Sequence, residues 1–515
     1  MKLDQLPKDN RSFGSNLNIL AGNSFYIRNL LMYVLIFNMF MIVIIFIGPV
    51  TYSEPFALGN STLILSNATF DSINPEFSVS DNSIYAAWIS NLNPQNSDVM
   101  FKKIDKNAKL FTSILDISNT SGISNIIKLR NSKENVYITW EDKQPDKWKL
   151  LFTKSENNGN KFDNVTNLSN TTGNVHLHDL TSVGKNVFVV WAANENVSST
   201  NKDIFFRKSQ DGGDSFNDTL NLSNDIDDSL DPHMAINQNG SIIYMTWTEC
   251  DTKHDDPICS IAFTSSLDRG NTFTTSKIVS NKILPLEGHE GYSSFNGTVV
   301  NASSNTIFPH KLENVTVQER INSINPTVFT TLEGKRVYVL WEQLIFGKGD
   351  SEIFLTVSND YGKSFNSTIN ISNTSGISRL AHGQLLGEDI YVTWSDTLNN
   401  SKTFDVMLRK IDAKNLAGNV INLSNNSGNS VSPYLLVSNN KIYVTWSDDT
   451  NNGSVLLWIG DTSGSPVMKK VVGNGQAGVY SNPLIFDTEN KVWIAWTQYD
   501  NNNHKIVILY QEKPL

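Results

Sequence analysis

Carboxylates follow tryptophan at a nearly fixed offset along this chain: Glu141 and Asp142 after Trp140, Glu249 after Trp247, Glu342 after Trp341, Asp396 after Trp394, Asp448 and Asp449 after Trp446, and Asp500 after Trp496. Gathered on one face, they could offer oxygen ligands suited to calcium or hold a polyhydroxylated ligand. A pair standing roughly 5 to 9.5 Å apart could serve as acid and base in glycoside hydrolysis. Glu342, Asp396 and Asp448 are the candidates for that pair, and Asp449 for a metal ligand. The plainer reading is that polar turns use Asp for backbone reasons. His178, His233 and His382 fall 12 to 14 residues before the tryptophan that follows each. Three imidazoles in one channel could bind a transition metal; ordinary channel-lining residues are the plainer reading. Cys250 and Cys259, the only cysteines, flank DTKHDDPI between two strand-like runs. In an oxidising compartment they would close that hairpin as a disulfide, the alternative being two free thiols.

Such residues need a repeated element to place them, and one motif recurs eight times. IYAAW ends at Trp88, VYITW at Trp140, VFVVW at Trp191, IYMTW at Trp247, VYVLW at Trp341, IYVTW at Trp394 and Trp446, and VWIAW at Trp496. The intervals are 52, 51, 56, 94, 53, 52 and 50 residues. Each unit begins with a short apolar run, often opened by proline (Pro75, Pro232, Pro326, Pro433, Pro483). After the tryptophan come a polar turn, a second apolar run such as DIFFRKS, a glycine turn and a last strand ending in NLSN or a variant. Four short strands per fifty residues predict an all-β fold, an eight-bladed β-propeller with four-stranded blades. The tryptophans are expected to pack between blades.

The last repeat stops after its third strand, HKIVILYQE, while Leu63 to Asn67 resembles the fourth strand of the other repeats without a blade before it. The chain's first strand is therefore expected to complete its last blade and close the ring. Asn281 to Pro326 spans 45 residues where eight is usual, so an insertion at about 282–322 is read as a long loop.

Residues 1–28 carry four basic and two acidic groups, and the remainder has a net charge of −12. An anionic surface without a basic stripe excludes nucleic acid as a partner. Residues 29–50 include an uncharged apolar run, Leu30 to Val50, long enough to span a bilayer. Lys2, Lys8, Arg11 and Arg28 precede it and the next basic residue is Lys102, which predicts a cytoplasmic segment 1–28, a signal anchor 29–50 and an extracellular part 54–515. Cleavage of the N-terminal segment would instead give a secreted protein. About twenty Asn-x-Ser/Thr sequons, among them Asn119, Asn167, Asn221, Asn370 and Asn422, suit a glycoprotein at the cell surface.

A turn of one design follows the third strand of several repeats: Ser209, Asp211, Gly213, Phe216; Ser266, Asp268, Gly270, Phe273; Ser358, Asp360, Gly362, Phe365; and the variant Ser155, Asn157, Gly159, Phe162. An Asp can bond its own turn's backbone and Gly can take positive φ. This resembles the Asp box, or BNR repeat, of the sialidase-like propellers, over roughly residues 60–515. The resemblance implies that these turns are folding elements on the face opposite an active site. Sialidases of that family bind their substrate's carboxylate with three arginines, whose forks match it bidentately. Here only Arg320 and Arg379 are expected on the opposite face, with Arg130, Arg207, Arg269, Arg336 and Arg409 elsewhere, so that clamp is not assembled.

Two functions follow as expectations. One is a non-catalytic surface module that binds an extracellular glycan or protein through the face bearing the insertion. The alternative is a sialidase-like glycoside hydrolase using the acidic residues opposite the Asp boxes. No cofactor is expected, calcium excepted.

Overall fold

The computed structural model describes residues 62–513 apart from short stretches, of which 281–291 and 309–320 are the longest. The expected cytoplasmic segment and anchor lie outside the described residues. Among the described residues no helix is long and apolar enough to cross a membrane. Residues Asn60–Leu515 form one compact unit.

The YxxW runs become the second strand of each sheet. Asn186–Asn194 and Lys441–Asp448, for example, are buried along nearly their whole length because another sheet covers each face. A strand covered on both sides needs apolar residues without alternation, and β-branched and aromatic side chains fill that space best. The Trp191 sheet shows the common order: Val175–Val183, Asn186–Asn194, Lys202–Ser209 and Leu220–Asn221, all antiparallel. Among the described residues there are six such four-stranded sheets, and an eight-stranded one made of two more meanders tied by a single parallel pairing of Ser97 with Ile123. The molecule is thus all-β and built from propeller-like blades.

Apolar clusters sit between consecutive sheets. Trp140 packs with Tyr85 and Phe101 of the sheet before it, and Trp394 with Tyr338 and Leu355. All eight motif tryptophans are buried. The final sheet joins Leu484–Asp487, Lys491–Asp500 and Asn503–Glu512 to Leu63–Ile64 from the other end of the chain. Leu63 lies opposite Ile508, the Leu65 amide donates to Ile506 O (2.8 Å), and the Leu65 side chain is buried with Trp88 and Trp493. The insertion, expected as a loop, instead carries three short antiparallel strands, Tyr292–Phe295, Thr298–Asn301 and Ile307–Phe308.

Pro483 directly precedes its innermost strand, Leu484–Asp487, but Pro75, Pro232, Pro326 and Pro433 lie inside theirs. Asp71–Val79 begins four residues before Pro75, and the proline sits with Asn74 in a bulge inside it. Seven innermost strands bulge at this level, each around a non-glycine residue with positive φ: Asn74, Ile126, Leu177, Asp231, Asn325, Leu380 and Ser432. Proline has no ladder hydrogen bond to lose at a bulge, which is why it is tolerated there. Asn and Asp take this conformation cheaply, whereas for Ile126, Leu177 and Leu380 it is strained, at about 1–3 kcal/mol each.

The opposite end of each innermost strand lies on the same side as the glycine turns. In those turns the Ser358 hydroxyl receives the Gly362 amide (2.9 Å) and donates to Asp360 (2.8 Å), while Asp360 caps Ser364. Gly362 has φ +76°, and an added Cβ would lie 2.8 Å from Phe263 of the preceding sheet. The Phe365 ring meets the same Phe263 edge-on at 4.9 Å. Turns at Phe162, Phe216 and Phe273 repeat this on Phe101, Phe152 and Phe206, so each ties its sheet to the one before.

Candidate functional site

The innermost strands bring polar side chains from several sheets together near the bulges. The Arg130 guanidinium lies between Glu76 (3.3 Å) and Asp179 (3.8 Å), which come from the four-stranded meanders before and after its own. Burial opposes its charge, but Glu76 and Asp179 outweigh that and hold it firmly protonated. Asp179 also accepts the Met234 amide of the next sheet (3.1 Å). His233 faces Asp231 at 3.5 Å; burial works against the charged ring, and Asp231 more than offsets it. The His233 side chain stays 34% exposed.

On the far side, the ring of Tyr434 stacks on His382 with centroids 4.0 Å apart. Burial pushes His382 down to about 4 and raises the Tyr434 phenol, on which Glu76 and Arg130 also act. Here too neighbouring innermost strands are tied together, the Leu435 amide donating to His382 Nδ1 (3.3 Å).

The sequence candidates are distributed differently from expectation. On a strand, residues one and two positions after the tryptophan face opposite sheets. The first kind, Glu141 and Glu342, is turned to the following sheet. Glu342 accepts the Leu380 amide (2.6 Å) and the Asn325 amide group (3.1 Å), and burial pushes it up to about 7. Glu141 likewise accepts the Leu177 amide, and it contacts His178 Nδ1 at 3.3 Å. Two of the strained bulges are thus pinned by a glutamate from the sheet before. His178 is buried between Glu141 and Thr139.

The second kind is folded back into the seams. Asp396 is fully buried and accepts Trp394 Nε1 (2.8 Å), Ser378 Oγ (2.8 Å) and Thr374 Oγ1 (3.2 Å). Asp448 accepts Ser430 Oγ (2.7 Å) and Asn426 Nδ2 (2.7 Å), and these with Thr450 outweigh burial to keep its acidity high. Asp449 remains exposed but clasps the Asn429 backbone and side-chain amides. Among the described residues these carboxylates do not gather into one site, because strand alternation and buried donors claim them. The three histidines are not gathered either: among the described residues, the one group of three or more metal-type ligands within 4.8 Å is Asp225, Asp227 and Glu249.

Of the arginines, Arg320 lies outside the described residues, and Arg379 stacks on Phe404 at 4.2 Å. Arg207 and Arg409 bond backbone carbonyls of the neighbouring sheets, and Arg336 pairs with Glu388. Arg130, expected on the turn side, belongs to the channel. Cys250 and Cys259 are disulfide-bonded across the hairpin. Sequence reasoning missed the bulges, although Asn-Pro and Asp-Pro at 74–75, 231–232 and 325–326 were their signal.

The fold and channel define a class, an all-β assembly of propeller-like blades around a polar central space. No family model matches the chain, and no curated protein matches it. Among solved structures it is similar to a protein of unknown function from Dyadobacter fermentans (13% identity, 88% of this chain and 100% of that one, TM-score 0.41). It is also similar to the polysaccharide lyase Uly1 (10%, 85% and 89%, 0.48) and to the NanB sialidase from Streptococcus pneumoniae (9%, 86% and 94%, 0.37). At this level of similarity none of the three says what this chain binds or does.

Proposed function

We propose that residues 62–515 close as an eight-bladed propeller, carried outside the cytoplasm on the apolar segment 29–50, and that its channel binds a glycan without cleaving it. The supporting observation is the contrast between the channel and the seams. Asp396 and Asp448, offered by the sequence for catalysis, are enclosed between sheets and held by side-chain donors, while Arg130, Glu76, His233 and Tyr434 on the innermost strands stay partly exposed. Alternating acceptors and donors beside an aromatic face suit a ring of hydroxyls with one apolar C–H surface.

Full-length protein probed on a glycan array should retain a defined set of sugars. Arg130→Ala and Tyr434→Ala should each weaken retention at least about tenfold, or about 1.4 kcal/mol, with melting temperature followed as a check on folding. Absence of glycan binding by the intact chain, or release of new reducing ends from a bound glycan, would overturn this reading. Membrane carriage predicts that the full chain partitions with detergent, and that protease added outside intact cells digests residues beyond 54.

A further inference from the structure

The outer strands end in a shared turn built on two residues three apart. In Asn221-Leu222-Ser223-Asn224, Asn370-Ile371-Ser372-Asn373 and Asn422-Leu423-Ser424-Asn425 the side-chain oxygen of the first Asn accepts the backbone amide of the second, at 3.0, 2.8 and 2.9 Å. Asp116 does the same for Asn119 (2.9 Å). The serine between them accepts a third-strand amide: Ser223 from Ile204 (3.0 Å), Ser372 from Ile353 (2.9 Å), Ser424 from Val406 (2.9 Å) and Ser118 from Val99 (2.9 Å). An Asn or Asp that binds its own turn's backbone is a turn-forming device. The Asn-x-Ser sequons opening at Asn221, Asn370 and Asn422 therefore follow from the turn and the strand pairing, and Asp116 fills the same place without a sequon.

The nitrogens of these first asparagines are committed as well. Asn221 Nδ2 donates to Asp203 (2.8 Å) and Asn422 Nδ2 to Asp405 (2.9 Å), both on third strands, and Asn370 Nδ2 is buried from solvent. All three residues are half-buried. The second asparagines are placed differently. Asn119, Asn373 and Asn425 take positive φ, at 44°, 47° and 43°, and are exposed. Asparagine is among the few residues that adopt this conformation readily. Their backbone amides are spent on the turn, and their side chains are left in water. Each opens a sequon of its own: Asn119-Thr-Ser, Asn373-Thr-Ser and Asn425-Asn-Ser.

We infer that Asn119, Asn373 and Asn425 carry N-linked glycans and that Asn221, Asn370 and Asn422 stay bare. Attachment forms a bond from Nδ2 to the anomeric carbon of an oligosaccharide carried on a lipid phosphate. The anomeric C–O bond to phosphate breaks, the lipid phosphate leaves with its electron pair, and one amide proton passes to solvent. On an exposed second asparagine the sugar displaces only water. On Asn221 or Asn422 it would have to enter where the outer strand meets Asp203 or Asp405, and on Asn370 the nitrogen has no opening to solvent. The inference rests on the proposal that this part of the chain lies outside the cytoplasm, and it is independent of what the channel binds.

The paired sequons at 422 and 425 supply the control within one turn. Full-length protein purified from the cells that make it, digested and read by mass spectrometry, should give glycopeptides at Asn119, Asn373 and Asn425 and unmodified peptides at Asn221, Asn370 and Asn422. Asn425→Gln should remove one glycan, seen as one step in gel mobility. Asn422→Gln should leave the glycan number unchanged but melt about 2 °C lower, because it breaks the turn. Should Asn422→Gln fail to fold, the glycopeptide map of the parent decides alone. A glycan on Asn221, Asn370 or Asn422 of the folded protein would overturn the inference, as would bare Asn119, Asn373 and Asn425. Protease added outside intact cells separates the causes. Digestion of a bare chain leaves the external location standing and sinks only the glycans, whereas a bare chain protected from protease sinks both.

Discussion

The two faces of the molecule use the same residue type in opposite ways. On the turn face, Asp268 and Asp360 are half-buried and pulled down to about 2. For Asp268 a slight burial penalty is outweighed by Thr272 and Ser266, and for Asp360 the Ser364 hydroxyl and amide dominate. On the bulge face burial leads: Glu352 is pushed up to about 8, Glu342 to about 7, and Asp396 is raised despite three donors. A carboxylate surrounded by its own turn's donors in water gains from ionisation, and one sandwiched between sheets loses more hydration than its donors return. The turn face is a set of rigid clips, whereas the bulge face stores strain and buried charge, and the channel opens beside it.

Both faces depend on the sheets being held in one ring, so the largest effect should come from opening it. Deleting residues 54–70 removes Leu63–Ile64 from its pairing and the buried Leu65 from beside Trp88. The expected loss is global, about 3 kcal/mol or more, with aggregation through the bared edge of Asn503–Glu512. Thermal unfolding of the deleted and intact chains checks it, and equal melting would refute closure as described.

Asp396→Ala comes next. It strands the Trp394, Ser378 and Thr374 donors in a buried seam and should cost about 2–4 kcal/mol, read from urea denaturation. A cost below about 1 kcal/mol would mean the bulge-face carboxylates are not structural.

The third effect is one of sign. Because the folded value of Glu352 is raised, its contribution is complete below the ordinary carboxylate range and is lost as pH rises through about 8. Glu352→Gln should flatten that decline in a series of melts across this window. Asp360 behaves inversely: its contribution is present above the ordinary carboxylate value and is lost as pH falls through about 2. Equal slopes in parent and Glu352→Gln would erase the electrostatic difference between the faces.

The smallest expected change is at a single clip. Asp360→Ala removes caps to the Ser364 amide and hydroxyl at an exposed turn, for about 1 kcal/mol, most visible as a small drop in melting temperature at neutral pH. A loss as large as that from Asp396→Ala would show the clips to be as demanding as the seams.

What the sequence determined by itself was whatever is local and repeated. Tryptophan at the end of a continuous apolar run announces a strand covered on both faces, and Ser, Asp, Gly and Phe at fixed offsets announce a turn whose hydrogen bonds close within eight residues. Leu63 to Asn67 was readable as a stray outer strand because it matches its fellows without a sheet of its own. Tertiary structure alone decided where the acids after each tryptophan point. One step of strand alternation sends Glu342 to the Leu380 bulge and Asp396 back to Ser378, and only the packed sheets say which acid meets a donor, water or another acid. It also decided the meeting of Arg130, Glu76 and Asp179, whose distant positions in the chain share no local pattern and are joined only because the innermost strands lie side by side.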